Sequence, residues 1–340
     1  MHRRSVRAPT LATVASEAGV SRQTVSNALN SPHLLRPETL ARVQEAIDTL
    51  GYSPNRAARN LRTRTSHLIG LRVEPAVEFS ANTLMDRFLH ALVESSKDAG
   101  YHLLLFSCGT GEEAAKGYDE LLRSAAVDAF VITDTYRGDP QAPWLHRQGV
   151  PFVAFGRPWD DPAPAHPWVD VDGRAGVMRA VDHLVERGHE RIAWIGWQRN
   201  SFIGEDRRNG WLDRMHHHGL STTRLSARGE DSVDFGRRAA HAMLGTEQPT
   251  AFVCVTDTVA LGVLGALAEA GLYPRRDIGV VGFDDSVAGQ LAYPGLTSVR
   301  QPLEQVAAEI LRLLGDRLAH RPIEEPGCIL TPDLSVRGTT

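Results

Sequence analysis

Thr10-Leu11-Ala12-Thr13-Val14-Ala15-Ser16-Glu17-Ala18-Gly19-Val20-Ser21-Arg22-Gln23-Thr24-Val25-Ser26-Asn27-Ala28-Leu29 is the most informative stretch of this 340-residue chain. Residues 11–18 predict a short helix that ends at Gly19. Ser21 predicts the cap of a second helix running to about Leu29, because its hydroxyl can accept from the first free N–H groups. Two helices joined by a glycine turn cross closely only when three conditions hold. A small residue must face the crossing (Ala15), the turn residue must tolerate positive φ (Gly19), and an apolar side chain must return to the contact (Val25). All three stand at the spacing of a helix-turn-helix, whose second helix enters the DNA major groove. Arg22, Gln23, Thr24, Ser26 and Asn27 form that helix's polar row, and each can hydrogen-bond bases or phosphates. A hairpin built only for packing needs no such row. A third helix is predicted from Pro37, a residue suited to the first helical position, to Leu50 before Gly51. Its apolar residues Leu40, Val43, Ile47 and Leu50 keep helical spacing.

Charge distribution points the same way. Residues 1–64 hold ten arginines against Glu17, Glu38, Glu45 and Asp48, a net +6 in a chain of net −4, so the remainder carries −10. A basic segment on an acidic body implies a polyanionic partner for that segment alone. No apolar run approaches the roughly 18 residues that span a bilayer, and the basic N-terminus leads into no apolar signal core. Cys108, Cys254 and Cys328 are far apart and show no metal spacing, which suits reduced thiols in a cytoplasmic protein.

After residue 66 the texture becomes alternating strands and helices. Strands are predicted at 67–73, 102–107, 129–133, 150–155, 191–196, 251–255 and 278–283. Helices are predicted at 84–99, 114–125, 173–187, 207–217, 233–244, 257–270 and 303–319. Repeated βα units with continuous apolar strands imply an α/β fold of doubly wound parallel sheets covered on both faces. The Pro-rich stretch 157–167 predicts the boundary between two such subdomains. The expected organisation is a headpiece over 1–54, a hinge over 55–65 and a body over 66–340. Within the body, one subdomain takes about 66–160 and 300–326, the other 161–299 and 327–340.

The segment Thr10 to Ser26, followed by Leu50-Gly51-Tyr52-Ser53-Pro54-Asn55, resembles the opening of the lactose/galactose repressor family of bacterial transcriptional regulators, and the likeness covers nearly the whole chain. It implies a periplasmic-binding-protein-like body, a double-stranded, pseudo-palindromic DNA operator, a homodimer, no membrane and no cofactor. It also implies that Arg22, Gln23 and Asn27 read bases, Asn27 departing from the arginine or histidine frequent there. Residues 55–64 resemble the family's hinge helix, with Asn55, Ala58 and Arg62 at the DNA and Leu61 as a minor-groove wedge. Small residues at 57 and 58 would let two such helices approach across a dimer axis.

The body admits two function classes. Gly109-Thr110-Gly111-Glu112-Glu113-Ala114 formally matches a dinucleotide fingerprint and invites an NAD(P)-dependent oxidoreductase reading. Glu112 and Glu113 would then sit at the helix N-terminus, where a pyrophosphate needs the positive dipole end. His216-His217-His218 does not place three imidazoles on one helix face, so it argues against a metal site. A ligand-binding sensor fits better, since two open α/β sheets create a cleft beyond their strand ends. Arg157, Asp257 and Asp284-Asp285 follow strand ends, and Phe79, Trp159, Trp168, Trp197 and Phe283 offer aromatic faces. The family resemblance implies that Arg207 and Asp284 grip the effector, that Thr256 and Asp257 form a pocket edge, with Thr256 as the lining residue and a helix cap as the alternative role of Asp257, and that Gln301 reaches the ligand from a crossover. Arg207 with Asp284 favours a mono- or oligosaccharide effector over a purine-type corepressor. Gly173 stands where the family often carries asparagine.

Overall fold

The computed structural model describes residues 9–52, 65–73, 83–109, 112–124, 126–133, 135–159, 161, 164–199 and 201–340. The hinge residues Asn55, Ala58, Leu61 and Arg62, and also Phe79, lie outside the described residues. The chain divides into two compact units, residues 1–66 and 67–340.

The first unit holds helices Leu11–Glu17, Arg22–Asn30 and Pro37–Leu50. Thr10 caps the first with reciprocal bonds to Thr13, and Ser21 caps the second by accepting from the Thr24 amide at 3.1 Å. Gly19 has φ +61°, which closes the turn without a Cβ penalty. Arg36 gives the third helix no side-chain cap, while Gly51 ends it in the left-handed conformation. Val14, Ala15, Val25, Val43 and Ile47 meet in one small core closed by Tyr52. The residues predicted to make the helix crossing therefore do so.

Among the described residues, the second unit carries two six-stranded sheets. The first is β11(Gly327–Leu330)-β5(Trp168–Val171)-β4(Phe152–Phe155)-β3(Ala129–Ile132)-β1(Leu68–Arg72)-β2(His102–Phe106), parallel throughout. The second is β12(Asp333–Ser335)-β10(Thr297–Arg300)-β9(Gly279–Phe283)-β8(Ala251–Cys254)-β6(Ile192–Trp197)-β7(Ser226–Gly229), parallel except at the β12 edge. Strands β3, β8 and β9 are buried along their whole length, as expected for strands covered on both faces. The second sheet's core is built around Trp194, Trp211 and Phe252; the Trp211 indole donates to the Ile192 carbonyl at 3.1 Å. Helix Leu303–Leu318 lays Leu303, Val306, Ile310 and Leu314 on the first sheet beside Ile69, Phe88 and Val153.

The subdomain boundary needs correction. The Pro-rich stretch does not separate the lobes, because β5 lies beyond it and still pairs with β4 in the first sheet. Likewise β11, expected in the second subdomain, pairs with β5. The chain instead crosses between the sheets after Val171, after Arg300 and after Leu330. Proline marked a long loop within one lobe, and the short polar-interrupted Trp-Val-Asp-Val carried no strong strand signal. The weak strands β5, β7, β10, β11 and β12 and helices Gln141–Arg147 and Val287–Leu291 escaped the sequence reading for the same reason. Helix Phe202–His217 begins five residues earlier than predicted, capped by the Ser201 hydroxyl on the Gly204 amide at 3.1 Å.

Candidate functional site

In the first unit Arg22 and Gln23 are exposed at the start of the second helix, and Ser26 and Asn27 are half-buried. The Gln23 amide donates to Asn27 Oδ1 at 3.0 Å, one helical turn on, so the two side chains are oriented as a pair. Thr24 is committed locally, its hydroxyl bonding Ser21 Oγ at 2.8 Å. The free polar surface is thus narrower than the row of five predicted residues.

In the second unit a polar cluster forms where the chain crosses between lobes. Arg207 comes from helix Phe202–His217, Asp284 from the end of β9 and Gln301 from the crossover after β10. Gln301 donates to Asp284 Oδ1 at 2.7 Å. Arg207 donates to the Val255 carbonyl at 2.7 Å, and its guanidinium lies 3.6 Å over the Phe283 ring and 5.5 Å from Trp197. Its distance to Asp284 is 3.9 Å, too long for a hydrogen bond. Burial pushes the Asp284 carboxyl up, against the pull of Arg207 and Gln301, and pushes the Arg207 guanidinium down despite Asp284 and Asp231. Arg207 Nε is buried and, among the described residues, has no hydrogen-bond partner, and the same holds for the Trp197 indole nitrogen. Such donors cost free energy unless something accepts from them. Gly173 has a structural reason here: a Cβ would lie 3.0 Å from Arg207 Cγ, so the missing side chain makes room for the arginine stem.

Backbone strain concentrates at the same place. Asp284 and Asp285 have φ of +101° and +52°, conformations that L side chains rarely adopt. The turn is held from several sides. Arg87, from helix Thr83–Asp98 of the first lobe, donates to the Asp284 carbonyl at 2.8 Å. Arg337 pairs with Asp285 at 2.6 Å.

Asp257, expected at the pocket edge, lies beneath this turn instead. Its Oδ2 accepts from the Ser286 amide and its Oδ1 from the Ser298 hydroxyl, both at 2.6 Å, which commits both oxygens. Thr256 is likewise engaged: it caps helix Asp257–Glu269, and its hydroxyl donates to Asp231. Desolvation raises the Asp257 carboxyl from 3.8 to about 6. The folded protein therefore holds this proton more tightly than the unfolded chain does. The associated stability is full below about pH 4 and is lost as pH rises through about 6, a cost of about 3 kcal/mol above that. Asp257→Asn is expected to gain in melting temperature relative to wild type as pH rises across this window, because asparagine keeps an acceptor without the charge. A melting-temperature difference that stays constant with pH would contradict it.

Arg157 and Trp159 form a group of their own, linked to Arg207 through Asp170, whose charge acts on both arginines. Arg157 pairs with Asp170 of β5 and lies 4.8 Å from the Trp159 ring. Trp168 is ordinary packing, its indole covering Gly327 of the neighbouring strand. The sequence reading missed Arg87 and Asp231, neither of which follows an apolar strand; only the tertiary approach of distant segments selects them. His218 bonds Asp182 at 2.7 Å alongside Arg214. Helix Glu112–Arg123 opens on the two glutamates of the dinucleotide-like stretch; Thr110 and Gly111 lie outside the described residues.

Residues 10–55 match the bacterial regulatory proteins of the lacI family, and residues 181–340 match the periplasmic binding protein-like domain. The chain is 33% identical over 339 residues to the HTH-type transcriptional regulator CelR of Thermobifida fusca, covering 97% of this chain and 98% of that protein. It is similar to the solved structure of a CelR–cellobiose complex at TM-score 0.72 and 30% identity, over 98% of this chain and 100% of that one. The lac repressor dimer bound to operator and the anti-inducer ONPF shares the fold at TM-score 0.82 and 24% identity, over 98% of this chain and 99% of that one. With a helix-turn-helix headpiece, a two-lobed α/β body and full-length relatives of this kind, the chain belongs to the LacI family of bacterial transcriptional regulators.

Proposed function

We propose that the chain is a cytoplasmic, non-enzymatic, homodimeric repressor whose affinity for a pseudo-palindromic operator is switched by a sugar. The observation that carries the sugar reading is the buried Arg207–Asp284 pair, held 3.9 Å apart, with the guanidinium over the face of Phe283 and its Nε without a partner among the described residues. A guanidinium and a carboxylate poised side by side supply donor and acceptor for vicinal hydroxyls, and the partly exposed Trp197 ring beside Arg207 suits a sugar's C–H face. Gln301 orients the carboxylate, and Thr256 steadies Asp231 at the rim. The similarity to a regulator solved with cellobiose supports the same ligand class. Arg22, Gln23, Ser26 and Asn27 form the headpiece's reading surface, and Thr24 steadies the start of their helix through Ser21. Asn55, Ala58, Leu61 and Arg62 complete it in the hinge, and the two half-sites require two headpieces. Effector bound between the lobes shifts a two-state equilibrium of lobe closure that sets the spacing of the headpieces. Arg87 provides a direct tie, because it joins a first-lobe helix to the turn that carries Asp284.

A thermal-shift screen with sugars and nucleobases tests this reading. A sugar at about 100 times its Kd stabilises the folded body by about 2.7 kcal/mol, a shift of several degrees. The same sugar is expected to change operator affinity in an anisotropy titration. Stabilisation by a purine base and by no sugar would replace the sugar reading with a purine-type corepressor, and stabilisation by a nicotinamide dinucleotide would revive the oxidoreductase reading.

A further inference from the structure

Asp206 is a half-buried carboxylate that, among the described residues, no hydrogen bond or ion pair engages. It lies on helix Phe202–His217 of the second lobe, just beyond Glu205, which already supplies the acidic residue of the first turn and is paired with Arg228. The helix dipole therefore gives Asp206 no reason to be acidic. Burial pushes its carboxyl up, and of the cations around it Arg157 pulls hardest the other way, ahead of Arg174, while Asp172 and Asp170 oppose both. Arg174 is committed to Asp213, to which its Nε donates at 2.9 Å. Arg207, the next residue, is bonded to the Val255 carbonyl and lies over Phe283. Arg157 is the cation that remains.

Arg157 follows β4 of the first lobe, so this attraction acts across the lobes. Two ring contacts bring the partners together. The Arg157 guanidinium lies 4.8 Å from the Trp159 ring centroid, and that ring stacks on Phe202 with centroids 6.1 Å apart. Phe202 and Asp206 are four residues apart on one helix, so they share a face about 6 Å apart along the axis. Arg157 is nevertheless bound within its own lobe: Nε donates to Asp170 Oδ2 on β5, and Nη2 reaches the Val171 carbonyl at 3.5 Å. Its Nη1 has no partner among the described residues. Asp170 has other support, since its Oδ1 accepts from the Val171 amide at 2.8 Å and it also shares charge with Arg207. Arg157 can therefore leave Asp170 without stranding it.

We propose that Arg157 is a cation shared between the lobes, bound to Asp170 in this arrangement and to Asp206 in a second arrangement of the lobes. Asp206 is unpaired in the first because its pair belongs to the second. Each arrangement then holds one ion pair and releases one carboxylate, which keeps the two close in free energy, as a switch requires. Exchange of ion pairs at an interface is one way in which rigid bodies move between discrete states. Arg157 and Asp170 are only 21% and 13% exposed, so solvent screens this exchange less than it screens a surface ion pair. The inference rests on the two-state lobe equilibrium proposed above and not on the identity of the effector.

The test uses the full chain, without sugar, and a duplex recovered from a randomised DNA pool by the wild-type chain. Asp170→Asn removes the partner of one arrangement and Asp206→Asn that of the other. The two substitutions are therefore expected to move affinity for that duplex in opposite directions, each by about threefold to tenfold in an anisotropy titration. Arg157→Gln removes both pairs and is expected to fall between them, and adding Asp206→Asn to it is expected to change affinity by less than about twofold. Melting checks the fold: Asp206→Asn takes away an unpaired half-buried charge and is expected to melt no lower than wild type. The same opposition of sign is expected without DNA in the emission of Trp159, read as the difference between each chain and its Trp159→Phe form. Shifts of one sign, an unchanged affinity in Asp206→Asn, or an Asp206→Asn effect that survives beside Arg157→Gln would overturn the exchange and leave the DNA-binding reading intact. If the pool yields no duplex, the operator reading fails, and the emission alone supports or overturns the exchange.

Discussion

Val25→Asp is expected to lower operator affinity by at least about 1,000-fold, the equivalent of about 4 kcal/mol. Val25 is fully buried where the first two helices cross, packed with Val14, Ala15 and Val43 in a core of only about eight residues. A carboxylate there has no partner, and an uncompensated buried charge costs about 3–5 kcal/mol, as much as so small a core can supply. The polar row of the second helix then loses its fixed presentation. Because residues 67–340 form a compact unit of their own, sugar-induced stabilisation of the body is expected to persist. Anisotropy on operator DNA and thermal melting with sugar read the two units separately. Operator binding within tenfold of wild type would show that the helix crossing does not hold the DNA-reading surface, and loss of both activities would show that the units do not fold independently.

The second large effect is expected at Arg207. Arg207→Ala should weaken effector binding by about 30-fold or more, since losing one partner of a buried charged hydrogen-bond site costs about 2–5 kcal/mol. The response of operator binding to effector is lost with it. Arg207→Lys is not expected to rescue binding. An ammonium cannot lie flat on Phe283 while also bonding the Val255 carbonyl and leaving a donor for the ligand. Removing Arg207 leaves Asp284 buried without its countercharge, so folding is checked by melting, and the double variant Arg207→Ala with Asp284→Asn separates the two causes. If the double variant regains stability but not effector binding, the clamp assignment holds. Effector affinity within threefold of wild type in Arg207→Ala would place the binding site elsewhere.

Much of this protein is legible in its sequence, and the reason is that the relevant physics is local. Thr10, Gly19, Ser21 and Gly51 act within one turn of their own positions, so caps and turn fix the headpiece helices without reference to the rest of the chain. Continuous apolar runs such as Ala-Phe-Val-Cys at β8 and Gly-Val-Val-Gly-Phe at β9 announce strands buried on both faces, and with the helices between them they determine the α/β class. Arg207 and Asp284 could be singled out because each sits in a recognisable local segment.

The tertiary structure decided what depends on distant segments meeting. No local signal places Trp168–Val171 in the first sheet, because its partners Phe152–Phe155 and Gly327–Leu330 come from both sides of the second lobe. Asp257 looks like a pocket residue at a strand end, yet Ser286 and Ser298, 29 and 41 residues away, claim both its oxygens and turn it into the support of the Asp284 turn. Arg87 stands 197 residues before the carbonyl it holds. Phe202 stacks on Trp159, which comes from the other lobe. Hydrogen bonds and ring contacts act over a few ångströms in space and carry no memory of sequence separation, so the folded chain alone determines which of many polar and aromatic side chains share a site.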